Sequence, residues 1–119
     1  MILNFGHTIG HAIESAANYK KYNHGEAVAL GMLVAADISR QLCLISQNTL
    51  WRIEKLIKNV GLPVKVKGIS TASIINAHYR DKKFKGGKNR FVLIQDIGKT
   101  KILEDVPLEI IHKAVRRIR

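Results

Sequence analysis

Ile9, Ala12, Ile13, Ala16 and Ala17 recur at the i, i+3, i+4, i+7, i+8 spacing of one helix face, which predicts an amphipathic helix over about residues 5–18. At ~100° per residue, His7 and His11 lie opposite the centre of that apolar stripe, so they are not core filler. Gly6 and Gly10 leave a neighbouring strip without side chains, where a second backbone or a ligand can come close. After the polar connector Asn18-Tyr19-Lys20-Lys21-Tyr22, Asn23 and Glu26 have the N-cap and N3 spacing of a capping box, which starts a second helix ending near Gln41. That helix is apolar nearly all round, as expected of a central element packed on several sides. Ser46 or Asn48 can cap a third helix through Leu50, Ile53, Leu56 and Ile57, and Gly61-Leu62-Pro63 supplies its stop. A short helix over Thr71 to His78 follows, and the charged, glycine-bearing stretch Asp81-Lys82-Lys83-Phe84-Lys85-Gly86-Gly87-Lys88 is expected to be an exposed loop. Arg90 to Gln95 and Lys101 to Leu103, separated by Asp96-Ile97-Gly98, read as a small β-hairpin. Pro107 at a first helical position begins a last helix through Ile110, Ile111, Ala114, Val115 and Ile118. The expected fold is mainly α, a multi-helix domain with one small β-hairpin and no internal repeat.

A chain of 119 residues with 46% apolar content is enough for one core, so residues 1–119 are expected to form a single domain. Cys43 is the only cysteine, which excludes an internal disulfide and a cysteine-based zinc site within one copy. The longest apolar run, Ala27 to Ala36, is about half of the ~20 residues that span a bilayer, so it predicts a buried helix and no membrane partner. The N-terminus has no export pattern, and a cytoplasmic location is expected. Net charge is +11, but residues 1–50 hold three basic and three acidic side chains, so the whole excess lies in residues 51–119. Such asymmetry suits nucleic acid or an anionic small molecule. No nucleic-acid reader motif or aromatic-interleaved basic strand accompanies it, so no nucleic-acid partner is expected.

Chemistry concentrates in the neutral half. His7, His11 and His24 put three imidazoles within eighteen residues, two of them one helical turn apart. Neutral imidazole is a common ligand for zinc and similar ions, and a catalytic centre keeps one position open for substrate. A zinc-protease motif needs Glu directly after its first His; here position 8 is Thr, which excludes that class. Spacing alone leaves plainer roles open: Asn4 as a helix cap, Glu26 as only a capping partner, the lysine-rich stretch as a solvated turn. His78 and His112 are expected to be satisfied or surface residues.

Taken together, Leu3-Asn4-Phe5-Gly6-His7-Thr8-Ile9-Gly10-His11-Ala12-Ile13-Glu14, then His24-Gly25-Glu26-Ala27-Val28-Ala29-Leu30-Gly31-Met32, then Asp81-Lys82-Lys83, closely resemble the signature segments of the 3-dehydroquinate synthase family, in the same order. The resemblance runs over essentially the whole chain and corresponds to the family's helical C-terminal domain. It implies an enzyme that converts 3-deoxy-D-arabino-heptulosonate 7-phosphate to 3-dehydroquinate and phosphate in the shikimate pathway, with NAD and a divalent metal, zinc or another such as cobalt. It also implies that a Gly-rich NAD-binding domain precedes Met1, and that the full-length enzyme is a homodimer.

By the same resemblance His7 and His24 match two metal-binding histidines, the third ligand being a glutamate of the preceding half. His11 matches the histidine beside the substrate hydroxyl that is oxidised, a proton acceptor or relay. Asn4 matches a substrate-binding asparagine; of the lysine pair, Lys83 is the first candidate for a substrate contact and Lys82 the second. No NAD-binding residue is expected in this chain. Lysines suit a substrate carrying carboxylate and phosphate, and a neutral imidazole suits proton abstraction. One departure counts: the family's arginine four residues before the asparagine falls outside this chain. With that arginine, one ligand and the cofactor site absent, the 119 residues alone are expected to be inactive and to bind metal weakly. The competing assignments are a related sugar-phosphate cyclase or a metal-dependent polyol dehydrogenase, and, from another class, a basic helical interaction module.

Overall fold

The side-chain oxygen of Asn23 accepts the Glu26 backbone N–H at 2.8 Å, and the Glu26 carboxylate accepts the Asn23 N–H at 3.0 Å, so the expected capping box starts the second helix. The computed structural model describes residues 7–18, 20–84, 90–96 and 99–119, with the backbone alone for His7, residues 81–84, Arg90 and Asp96. Its elements run α1 (His7–Ala16), α2 (His24–Gln41), α3 (Gln47–Asn59), α4 (Thr71–Phe84), β1 (Arg90–Asp96), β2 (Lys99–Glu104) and α5 (Leu108–Arg117). The mainly helical class with one hairpin is therefore the fold observed.

Helix α2 is the centre. Ala27, Leu30, Val34, Ala36 and Ile38 are fully buried along it, and it packs against α1, α3, α5 and β1. Full burial of a side chain such as Leu30 contributes roughly 1.5–3 kcal/mol. Two polar side chains of α2, Asp37 and Ser39, are buried and both are matched. Asp37 accepts Arg40 Nε and Nη2 on Oδ1 at 3.2 and 3.1 Å and Gln41 Nε2 on Oδ2 at 2.9 Å. The same Gln41 nitrogen donates to the Ile110 carbonyl at 3.0 Å, and Arg117 Nε lies 3.7 Å from Asp37, so the buried carboxylate ties α5 to α2. Ser39 donates to the Ala35 carbonyl at 2.9 Å and accepts the Ile94 N–H at 3.1 Å, which docks the edge of β1 on α2.

The hairpin is antiparallel, with Phe91 opposite Leu103 and Leu93 opposite Lys101, and its register shifts between Ile94 and Asp96. Phe91 and Leu93 alternate inward and are buried, which is the period-two pattern of a half-covered sheet. The C-terminus is held by the segment after α3: Val66 N–H donates to the Ile118 carbonyl at 2.6 Å and Lys65 Nζ to the Arg117 carbonyl at 3.1 Å. No described helix is long and apolar enough to cross a membrane.

Three expectations need correction. The α4 helix does not stop at His78 but continues through Phe84, so residues 81–84 of the expected loop are helical. No Gly or Pro interrupts Tyr79 to Phe84, and Lys and Arg are good helix formers, so charge alone did not make a loop there. The strands of the hairpin are longer than expected, β1 reaching Asp96 and β2 starting at Lys99, which pairs with it. Pro107 occupies the N-cap of α5 rather than its first helical position. Where alternatives were open for α3, Ser46 is the cap, accepting the Thr49 N–H at 3.1 Å, and Gly61 takes the left-handed conformation with φ +87° beyond its end.

Candidate functional site

Helices α1 and α2 form a tight hairpin because a glycine lets them. A Cβ built on Gly10 would stand 3.0 Å from the Ala27 carbonyl oxygen and 3.2 Å from Val28 Cα, so the strip expected to admit another backbone admits that of α2. Four residues further along α1, the Glu14 carboxylate meets His24 at the start of α2, so the two helices run in opposite senses along their contact. Ile9, Ala12 and Ile13 are buried, and His11 is exposed on the other side, as the periodicity predicts. Asn18, with φ +53°, ends the helix in the left-handed conformation that asparagine tolerates.

Gly10→Ala is expected to destabilise the chain by roughly 1–2 kcal/mol in urea denaturation, because overpacking against rigid backbone costs ~1–3 kcal/mol and alanine's helix preference returns at most ~1 kcal/mol. Equal or higher stability would show that the helices separate freely.

The expected site residues divide into those with described side chains and those without. His24 is the first residue of α2; its side chain is 66% exposed, and Nδ1 lies 3.0 Å from Glu14 Oε1, whose own side chain is 13% exposed. His11 stands one helical turn beyond His7, on the solvent face of α1. For His7, which opens α1, and for Lys82 and Lys83, near the end of α4, only the backbone is described. Asn4 lies outside the described residues. Among the described residues no three His, Cys, Asp or Glu side chains converge on one point, and the His7 ring is not among them, so the His7–His24 pairing stays an expectation.

Glu14 closes the first signature segment, and spacing alone assigns it no role. Its signal was present: His7, His11 and Glu14 fall at i, i+4 and i+7, one polar stripe on the face opposite the buried one. Only helix packing adds that this stripe ends against His24. Of the two histidines expected to be incidental, His78 is buried with its ring 5.8 Å from that of Phe91, and His112 is exposed on α5.

The donor chemistry at His24 fits a metal. An imidazole that ligates a metal almost always engages a carboxylate or carbonyl through its other nitrogen, which is the position Glu14 takes here.

Comparisons with known proteins bear on the whole chain. Residues 1–84 match the family model for the 3-dehydroquinate synthase C-terminal domain. The chain is 47% identical over 106 residues to the 3-dehydroquinate synthase of Acidithiobacillus ferrooxidans, covering 89% of this chain and 29% of that protein. It is 44% identical over 119 residues to that of Crocosphaera subtropica, covering 99% and 33%. Among solved structures, 2-epi-5-epi-valiolone synthase from Streptomyces hygroscopicus, with NAD+ and Zn2+ bound, shares the fold at TM-score 0.85 and 24% identity over 99% of this chain and 32% of its own. A 2-deoxy-scyllo-inosose synthase complexed with carbaglucose-6-phosphate, NAD+ and Co2+ aligns at TM-score 0.80 and 27% identity over 99% and 35%. The chain thus spans about a third of the length of the proteins it resembles, and it belongs to the 3-dehydroquinate synthase family, matching the C-terminal domain.

Proposed function

We propose that this chain is the metal- and substrate-binding part of a cytoplasmic, homodimeric 3-dehydroquinate synthase, which converts 3-deoxy-D-arabino-heptulosonate 7-phosphate to 3-dehydroquinate and phosphate with NAD held by a preceding domain. The observation that carries this reading is the family match over residues 1–84, the stretch that contains Asn4, His7, His11, His24, Lys82 and Lys83. Neighbours in fold that bind NAD+ with Zn2+ or Co2+ support the cofactor pair.

In this reading His7 and His24 hold the divalent ion together with a glutamate of the preceding domain. Held by these side chains, a divalent ion would supply polarisation of the substrate hydroxyls, and NAD in the preceding domain would supply the hydride acceptor. The exposed His11 imidazole, one turn from His7, accepts the hydroxyl proton on a ring nitrogen and returns it when the ketone is reduced again. Oxidation acidifies the neighbouring C–H, whose proton is lost as phosphate leaves by elimination; the hydride is then returned to the ketone, and the ring opens and closes by an intramolecular aldol step. Asn4 and Lys83, or Lys82, hold the polar and anionic groups of the substrate so that it stays in one pose through these steps. His11 and His24 face solvent on this chain, and chemistry of this kind is faster where water is kept out. A second domain closing over the α1–α2 face meets that need.

The test is phosphate release. The chain joined to its NAD-binding domain is expected to release phosphate from the heptulosonate phosphate without net NAD reduction, and the 119 residues alone are expected to show no turnover. Net NAD reduction with glycerol or another polyol, and no phosphate, would replace this reading with a dehydrogenase. Turnover by the isolated chain would remove the requirement for a second domain.

A further inference from the structure

We infer that Glu14 is a positioning residue that sets the tautomer of His24, holding the proton on Nδ1 so that Nε2 carries the lone pair offered to the metal; this rests on the metal site proposed above. An ionised carboxylate only accepts hydrogen bonds, so at 3.0 Å from Glu14 Oε1 the Nδ1 atom of a neutral His24 must be the donor. Burial shows which partner is the anchor. The Glu14 side chain is 13% exposed, whereas that of His24 is 66% exposed. Glu14 belongs to α1, which Gly10 seats against the backbone of Ala27 and Val28, so its contact with His24 is set by how the two helices pack.

A purely stabilising role accounts poorly for the pair. A carboxylate–imidazole contact with one partner so open to water contributes little to folding. Its length suits another purpose: a carboxylate behind a ligating imidazole fixes the ring plane and makes the metal-facing nitrogen a better donor.

Two readouts test this. In the chain labelled with 15N, long-range proton–nitrogen spectra of neutral His24 are expected to show the proton on Nδ1, with Glu14→Ala shifting population to the Nε2–H form. Wild-type His24 found as the Nε2–H tautomer would overturn the inference. In the two-domain protein, Co2+ affinity measured against a competing chelator is expected to fall about 10–100-fold in Glu14→Gln and less in Glu14→Asp, with the urea midpoint of each variant unchanged. A loss of affinity in His24→Ala but none in Glu14→Gln refutes the role of Glu14 and leaves the metal site standing. No loss in His24→Ala refutes the metal site itself, and the inference with it. An affinity loss that tracks a lowered urea midpoint and is not eased by Glu14→Asp would mark Glu14 as merely structural and refute the inference.

Discussion

His24→Ala in the two-domain enzyme is expected to lower kcat/KM by about a thousandfold, roughly 4 kcal/mol of transition-state stabilisation, because it removes a proposed ligand of the ion proposed to polarise the substrate. Bound metal measured by elemental analysis should fall with the activity, and an excess of zinc should not restore it. The side chain is 66% exposed, so its loss leaves no cavity, and the folded fraction in urea should match that of the parent. His112→Ala is the control: that imidazole is exposed on α5 and belongs to no part of the proposed site, so its turnover should stay within about twofold of the parent. Full metal content and turnover in His24→Ala would remove the central residue of the mechanism.

Phe91→Ala should cost about 3–5 kcal/mol of folding stability, the range for deleting a large buried aromatic ring. Phe91 is 2% exposed and heads the fully buried side chains by volume among the described residues. Its ring packs at 48° to that of His78, joining the hairpin to α4. A two-stranded hairpin has little stability of its own, so β1 and β2 persist through what they bury and through the Ser39–Ile94 hydrogen bond. Against a typical total of ~5–15 kcal/mol, the substitution would unfold a large share of molecules at modest urea. Trp51→Ala removes a larger side chain, yet Trp51 is 56% exposed, and the expected change is within about 0.5 kcal/mol. Urea denaturation of both variants decides the matter: a Trp51→Ala loss exceeding that of Phe91→Ala would mean that the core has been misplaced.

Glycine and charge are poor markers of a helix end at the close of α4. Gly86 and Gly87 make the run from Asp81 read as a loop, but its first four residues continue α4. Helix ends depend on whether the next residues have a better alternative, and Lys82 and Lys83 have none without a breaker beside them. Lys82 and Lys83, as proposed substrate contacts, therefore sit near the end of a helix rather than in a turn.

The capping boundaries and apolar faces were legible because their causes are local. Asn23 with Glu26 starts α2, Ser46 starts α3, and Ile9, Ala12 and Ile13 turn one face of α1 inward, each within about one or two helical turns of chain. The histidine motif was equally open to inspection, since its spacing and its family resemblance are properties of the order of residues. The partner of His24 was not. Glu14 lies ten residues earlier, and nothing in that separation selects it over other acceptors. It becomes the partner only when Gly10 lets α1 lie against Ala27 and Val28, so that the polar stripe of one helix ends at the first turn of the next. In the same way Asp37 became a clamp for α5 only through Gln41 and Arg117, far apart in sequence. Local hydrogen bonds and hydrophobic periodicity act over a few residues and leave their mark in the sequence, whereas the pairing of distant polar groups follows from the close packing of whole elements.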